Sequence, residues 1–136
     1  MLYRTVPKTG EKLSILGFGA MRLPQVKGKI DEEASTRLIR NSIDNGIDYV
    51  DTAWPYHNGA SEPFLANVLR DGYREKVKLA TKLPQWLVKT REDMDYYLDL
   101  QLKRLGTDRI DYYLIHSLDG FSWDKMKALG INPRSD

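Results

Sequence analysis

The chain has 136 residues, 41% hydrophobic and 29% charged, enough for one ordinary domain with its own core and without a low-complexity tract. Its formal net charge is +2, and Lys and Arg are scattered among acidic residues, so no basic stripe tracks a phosphate backbone and nucleic acid is not an expected partner. The absence of cysteine removes disulfides and thiolate metal sites, no other metal-ligand pattern stands out, and no window approaches the ~20 apolar residues of a membrane span.

The opening MLYRTVPKTGEK has no apolar core of signal-peptide length, and the cytoplasm is the expected location. Strand-like stretches at Leu2–Val6 and Lys12–Ile15 flank a turn at Thr9–Gly10 and predict a hairpin. LGFGAMRL follows as a first core strand and its exit loop, with LPQVKGK as further loop. Three helix–strand units come next. The first helix is capped by Asp31, carries Glu32 and Glu33 in its first turn, sets Ala34, Leu38, Ile39, Ser42 and Ile43 on one face, and ends at Gly46. IDYVDTA is the strand after it. The second helix starts at Ser61, buries Phe64, Leu65, Val68 and Leu69, and stops near Gly72, before the strand VKLATKL. Arg74–Lys78, with Glu75, reads as a solvated turn. The third helix is expected to be capped by Thr90, with Met94, Leu98, Leu102 and Leu105 as its stripe and Gly106 as its end; IDYYLIHS follows. Ser122 is read as the cap of a short last helix through Leu129, ended by Gly130 and Pro133.

Strands and helices alternating at these lengths imply parallel βαβ units, an α/β architecture. The three strands after the first end in Asp51, Lys82 and His116, spaced 31 and 34 residues apart, one unit each time. Parallel strands in register, ~4.8 Å apart, place those ends on one edge, the edge that carries chemistry in βα barrels. Tyr49, Ala80 and Leu114 share their faces and would form an apolar layer below them. Tyr56 follows Asp51 by five residues in a loop stiffened by Pro55 and can lean back over Lys82 and His116. A phenol near pKa ~10 is a poor proton donor at neutral pH, and a neighbouring ammonium favours its ionised form. Lys82 can supply that charge, Asp51 can hold Lys82 charged and oriented, and His116 can hydrogen-bond a carbonyl oxygen. Together they suit protonation of an oxygen while hydride reaches the adjacent carbon. Taken singly, each has a plainer reading: Asp51 closes a strand, Lys82 is a solvated strand end, His116 is a hydrogen-bonded core histidine, and Tyr56 is one of eight tyrosines. The coincidence of the set weighs against those readings.

GFGAMRL, the D-T-A-x-x-Y loop, ATKLP and LIH resemble the aldo-keto reductases, in order, over about Leu2 to Leu129. The closest character is that of bacterial and archaeal members with a C-terminal iron–sulfur extension, although this chain has no cysteine to build one. The resemblance implies a (β/α)8 TIM barrel, NADPH as hydride donor and aldehydes or ketones as substrates. It also implies Asp51, Tyr56, Lys82 and His116 as catalytic residues, Tyr56 being the general acid. Gly19, Ala20, Met21 and Arg22, with Asp51, are the implied contacts to the nicotinamide end. Trp54 and Trp86 sit in loops on the same edge, as pocket walls or rim cover; the wall reading is favoured for Trp54. A dinucleotide fingerprint in GFGAMR fails, because Arg22 replaces the third glycine and no helix begins at once.

A full barrel runs ~250 residues, so the chain is expected to be a single truncated barrel domain, residues 1–136, with about four of the eight units. Most of the NADPH site is then expected in the missing C-terminal half, and the abrupt INPRSD ending suggests a frameshift, an early stop, a misplaced gene end or a cut chain, with a minimal protein as the alternative. An open half-barrel leaves two strand edges and one inner face uncovered, with Ala20, Tyr49, Ala80 and Leu114 partly exposed. A homodimer through that face, or aggregation, is therefore expected ahead of a monomer. The alternative to a reductase is a non-catalytic half-barrel that self-associates or pairs with another chain.

Overall fold

The computed structural model describes residues 1–131. Two short antiparallel strands open it, β1 (Tyr3–Thr5) and β2 (Lys12–Ser14), in register Tyr3 to Ser14. The first core strand, β3, is only Phe18–Gly19. The expected plain loop after it instead holds a second hairpin, β4 (Gln25–Val26) and β5 (Lys29–Ile30). Its turn is Lys27–Gly28, both at positive φ, and the dipeptide is the one local sign of it in the sequence.

Helix α1 (Glu32–Asp44) begins as expected, with the Asp31 carboxylate accepting the Ala34 amide at 3.0 Å. Its buried face differs from the expected one. Ser35, Ile39 and Ile43 are buried, while Leu38 is 45% exposed. Ile39 and Ile43 join Val50 of the short strand β6 (Tyr49–Asp51) in the main core cluster. Helix α2 (Ser61–Val68) buries Phe64, Leu65 and Val68, and Leu69 just past its end is buried too; it ends earlier than expected, and the turn runs on to Gly72. Strand β7 (Lys78–Leu83) is the longest. Helix α3 (Glu92–Leu105) ends on Gly106 in the left-handed region, as expected. Thr90 does not cap it; the Asp93 carboxylate instead accepts the amides of Lys89 and Thr90. Strand β8 is Tyr112–Ile115. The last helix, α4 (Gly120–Ala128), is capped by Asp119 rather than Ser122, whose amide is the donor at 2.7 Å. Gly130 follows at positive φ, and Pro133 lies outside the described residues.

The sheet runs β3-β6-β7-β8, all parallel, which is half of an α/β barrel. Its outer face and the helices enclose the main core: Ile39, Val50, Leu65, Val68 and Leu79 are almost wholly buried. On the inner face Leu114 is 43% exposed and Tyr49 half-buried, as expected, but Ala20 and Ala80 are fully buried. The Tyr49 and Tyr112 rings, 5.4 Å apart, meet across β7 and close over Ala80. Ala20 belongs to the core cluster. The Arg74 region is no solvated turn. Its guanidinium is buried, bonds Asp111 at 2.7 Å and the carbonyls of Val77 and Arg109, and ties the entry of β7 to that of β8. Among the described residues no helix is long and apolar enough to cross a membrane.

Candidate active site

Strand register decides which side chains meet. Gly19 pairs with Asp51, Asp51 with Ala80, and Lys82 with Leu114, so Asp51 and Lys82 project from one face at the C-terminal edge, with His116 one residue beyond β8. The Lys82 Nζ lies 2.8 Å from both carboxylate oxygens of Asp51 and 2.7 Å from the Thr52 carbonyl. Three acceptors thus surround an ammonium that carries three hydrogens. The Tyr56 hydroxyl is 3.4 Å from the same nitrogen. The His116 ring stands edge-on to the Tyr56 ring at 5.9 Å, and its main-chain amide is tied to the Leu83 carbonyl. All four side chains singled out in the sequence therefore converge.

Burial lowers the pKa of His116, and the Lys82 charge lowers it further against a smaller opposing effect of Asp51. Its Nδ1 is buried and has no hydrogen-bond partner among the described residues. A buried ring nitrogen without a partner costs stability. Tyr49, below Asp51, is kept firmly protonated by burial and by the nearby carboxylate.

The two tryptophans divide differently from the expectation. Trp86, 41% exposed, packs edge-on to His116 at 5.1 Å and borders the cluster. Trp54 turns toward α3, where Arg104 lies 4.2 Å over its ring and Tyr97 meets it edge-on. Gly19 and Met21 are exposed beside Asp51, and a Cβ on Gly19 would meet nothing within 4 Å. Arg22 is exposed and Ala20 faces the core. A surface cavity of about 700 Å³ between the β4–β5 hairpin and α2 is lined by none of Asp51, Tyr56, Lys82 and His116.

Two contributors escaped the sequence reading. The Thr52 carbonyl is a backbone atom and leaves no trace in side-chain pattern. The Glu62–Gln101–Arg104 group did leave one, since Gln101 interrupts the apolar stripe of α3 at the spacing of a core position.

The profile of the Aldo/keto reductase family matches residues 15–126. The chain belongs to the aldo/keto reductase family. It is 34% identical over 125 residues to the aldo-keto reductase YhdN of Bacillus subtilis, covering 85% of this chain and 38% of that protein. It is also 34% identical over 115 residues to the Schizosaccharomyces pombe aldo-keto reductase yakc, named with NADP(+), covering 77% of this chain and 34% of that protein. A Klebsiella pneumoniae aldo-keto reductase crystallised with NADPH superposes with a TM-score of 0.73 at 25% identity, over 94% of this chain and 46% of that one. The chain thus spans less than half the length of each of these aldo-keto reductases. A placement beside the iron–sulfur members finds no support in these matches.

Proposed function

We propose that this chain carries the proton-transfer half of an NADPH-dependent carbonyl reductase acting on aldehydes or ketones. The observation that carries the reading is the ammonium of Lys82, clamped by Asp51 and Thr52 and 3.4 Å from the Tyr56 hydroxyl at the C-terminal edge of a parallel sheet. The name of yakc and the NADPH-bound Klebsiella structure support the choice of cofactor.

The exposed backbone at Gly19, the exposed Met21 and Arg22, and Asp51 in register with Gly19 fit the nicotinamide end, because nothing fills the space beside Gly19. NADPH, when bound, supplies the hydride. Tyr56 donates its hydroxyl proton to the carbonyl oxygen. Negative charge then develops on the phenol oxygen 3.4 Å from the Lys82 ammonium, which Asp51 and Thr52 hold in place beside it. His116, edge-on to the Tyr56 ring, orients the carbonyl oxygen, and Trp86 packs against its ring on the other side. Groups that clamp the adenosine phosphates are assigned to the C-terminal half of such a barrel.

The test is a titration of the 136-residue chain with NADPH, followed by nucleotide fluorescence and then by reduction of a simple aldehyde. Saturable binding with turnover is expected if this half retains the cofactor edge. A folded chain that binds no NADPH, alone or mixed with a C-terminal half, would sink the reading.

A second reading rests on the inner face. Leu114 is 43% exposed, and β8 has no neighbour on its far side among the described residues. A half-barrel of this form self-associates or takes up another chain. Sedimentation as a monomer at micromolar concentration would dismiss it.

A further inference from the structure

A buried polar network behind the four-residue cluster joins the strand of Lys82 to the loop of Tyr56. Glu62, fully buried in the first turn of α2, accepts hydrogen bonds at Oε1 from Thr81 (2.8 Å) and Gln101 (2.6 Å), and at Oε2 from the Nε of Arg104 (2.7 Å). The Gln101 amide nitrogen also lies 3.2 Å from the main-chain carbonyl of Lys82, while its oxygen accepts the Tyr113 hydroxyl at 2.8 Å. Arg104 sits three residues after Gln101 on the same face of α3. Its Nη2 donates to the Gly59 carbonyl, and its guanidinium stacks on Trp54.

Trp54 and Gly59 bracket Tyr56 in the chain, so one guanidinium holds both ends of the loop that carries the phenol. That loop needs an outside tether. His57 and Asn58 both stand in the left-handed region at φ of 54° and 55°, which His and Asn tolerate better than most residues but at a cost that two in succession add to. His57 provides a tether on the far side, accepting the Leu23 amide at 3.2 Å. Arg104 is the tether on the side of α3. The planar fork serves Glu62 through Nε and Gly59 through Nη2 from two nitrogens while lying flat over Trp54, whereas a lysine would have to reach both acceptors from one nitrogen and has no plane to stack.

We propose that Arg104, seated by Glu62 and Gln101, is a positioning residue that sets the Tyr56 hydroxyl against Lys82. The inference rests on Tyr56 being the proton donor of the preceding section, but its test does not depend on turnover. The whole chain is labelled with 3-fluorotyrosine, and the ¹⁹F line of Tyr56 is assigned by its loss in Tyr56→Phe. In Arg104→Met the Tyr56 line is expected to shift or broaden, with the line of Tyr3 in the distant β1–β2 hairpin unchanged. Arg104→Lys, which keeps the charge but not the fork, is expected to leave the disturbance in place. Where carbonyl reduction is measurable, kcat should fall about 10- to 100-fold with KM within about twofold.

Arg104→Met leaves the Glu62 carboxylate buried without its ion-pair partner, so Arg104→Met with Glu62→Gln is made alongside it. A folded variant of either kind with an unmoved Tyr56 line overturns the proposal, and so does unfolding of both, which would make the pair purely architectural. A chain that never reduces a carbonyl while its Tyr56 line responds to Arg104 would overturn the reductase reading alone.

Discussion

The Nζ of Lys82 stands equidistant, at 2.8 Å, from the two carboxylate oxygens of Asp51, although the residues belong to different strands. Parallel pairing makes this possible. Asp51 faces Ala80 in register, and the lysine two residues further along β7 shares that face and reaches back with its long stem. With the Thr52 carbonyl at 2.7 Å, the ammonium is fixed before any substrate arrives. A donor whose partner is fixed in advance needs little reorganisation when charge develops beside it.

Removal of the Tyr56 hydroxyl separates chemistry from fold. Tyr56→Phe deletes an oxygen 3.4 Å from Lys82 and leaves the Asp51 and Thr52 contacts intact. Thermal stability is expected to change by less than about 1 kcal/mol, while carbonyl reduction falls by about 10²- to 10⁴-fold. Steady-state assays on a barrel completed with a C-terminal half, together with a melting curve, check both.

His116 should resist protonation. Burial and the Lys82 charge depress its pKa below the ordinary ~6.5. The unfolded state then binds the proton more readily than the folded state. Stability is therefore complete above the ordinary value and declines as pH falls from there toward the lower folded value. A ¹⁵N-edited NMR titration should show His116 still neutral at a pH where an exposed histidine is half-protonated. A midpoint at or above the ordinary value would contradict this.

The Arg74–Asp111 pair is expected to govern stability in acid. Burial alone would raise the Asp111 pKa, but the Leu79 amide and the Arg74 guanidinium together hold it below the ordinary carboxylate range. Its contribution is present above the unfolded value and is lost as pH falls through the folded one. Arg74→Met, which removes the shortest ion pair of a mostly buried carboxylate and leaves it the Leu79 amide and the longer Lys78 and Arg109 pairs, should cost about 1–3 kcal/mol near neutral pH in urea unfolding. That cost should shrink as the medium is made acid enough to protonate Asp111.

A pair of alanine substitutions tests the face of α1. Ile39 is fully buried and Leu38 is 45% exposed. Ile39→Ala should destabilise by about 2–5 kcal/mol and Leu38→Ala by less than about 1 kcal/mol. Equal losses in denaturant midpoints would mean that both residues face the core.

Much of the cluster was readable before any coordinates. Asp51, Lys82 and His116 close successive strands at one-unit spacing, and that periodicity survives any error in strand length. Tyr56 was readable because the loop from Asp51 is short and starts from the same edge. The helix ends at Asp31 and Gly106 were likewise local, each depending on one side chain or one backbone angle.

The errors share a cause. Leu38 in place of Ser35 on the buried face of α1, and Ser122 in place of Asp119 as the cap of α4, are exchanges between near neighbours, and they turn on what lies opposite in space. Arg74 looked solvated because its partners, Asp111 and the Arg109 carbonyl, come from a segment more than thirty residues later. Local composition determined the order of the core strands and helices, though not the β4–β5 hairpin, and the residues near the strand ends, because turn chemistry and hydrophobic period act over a few residues. Only the tertiary structure decided that Glu62, Gln101 and Arg104 form one network behind Tyr56 and Lys82, because burial of a carboxylate is tolerated solely where distant donors converge on it.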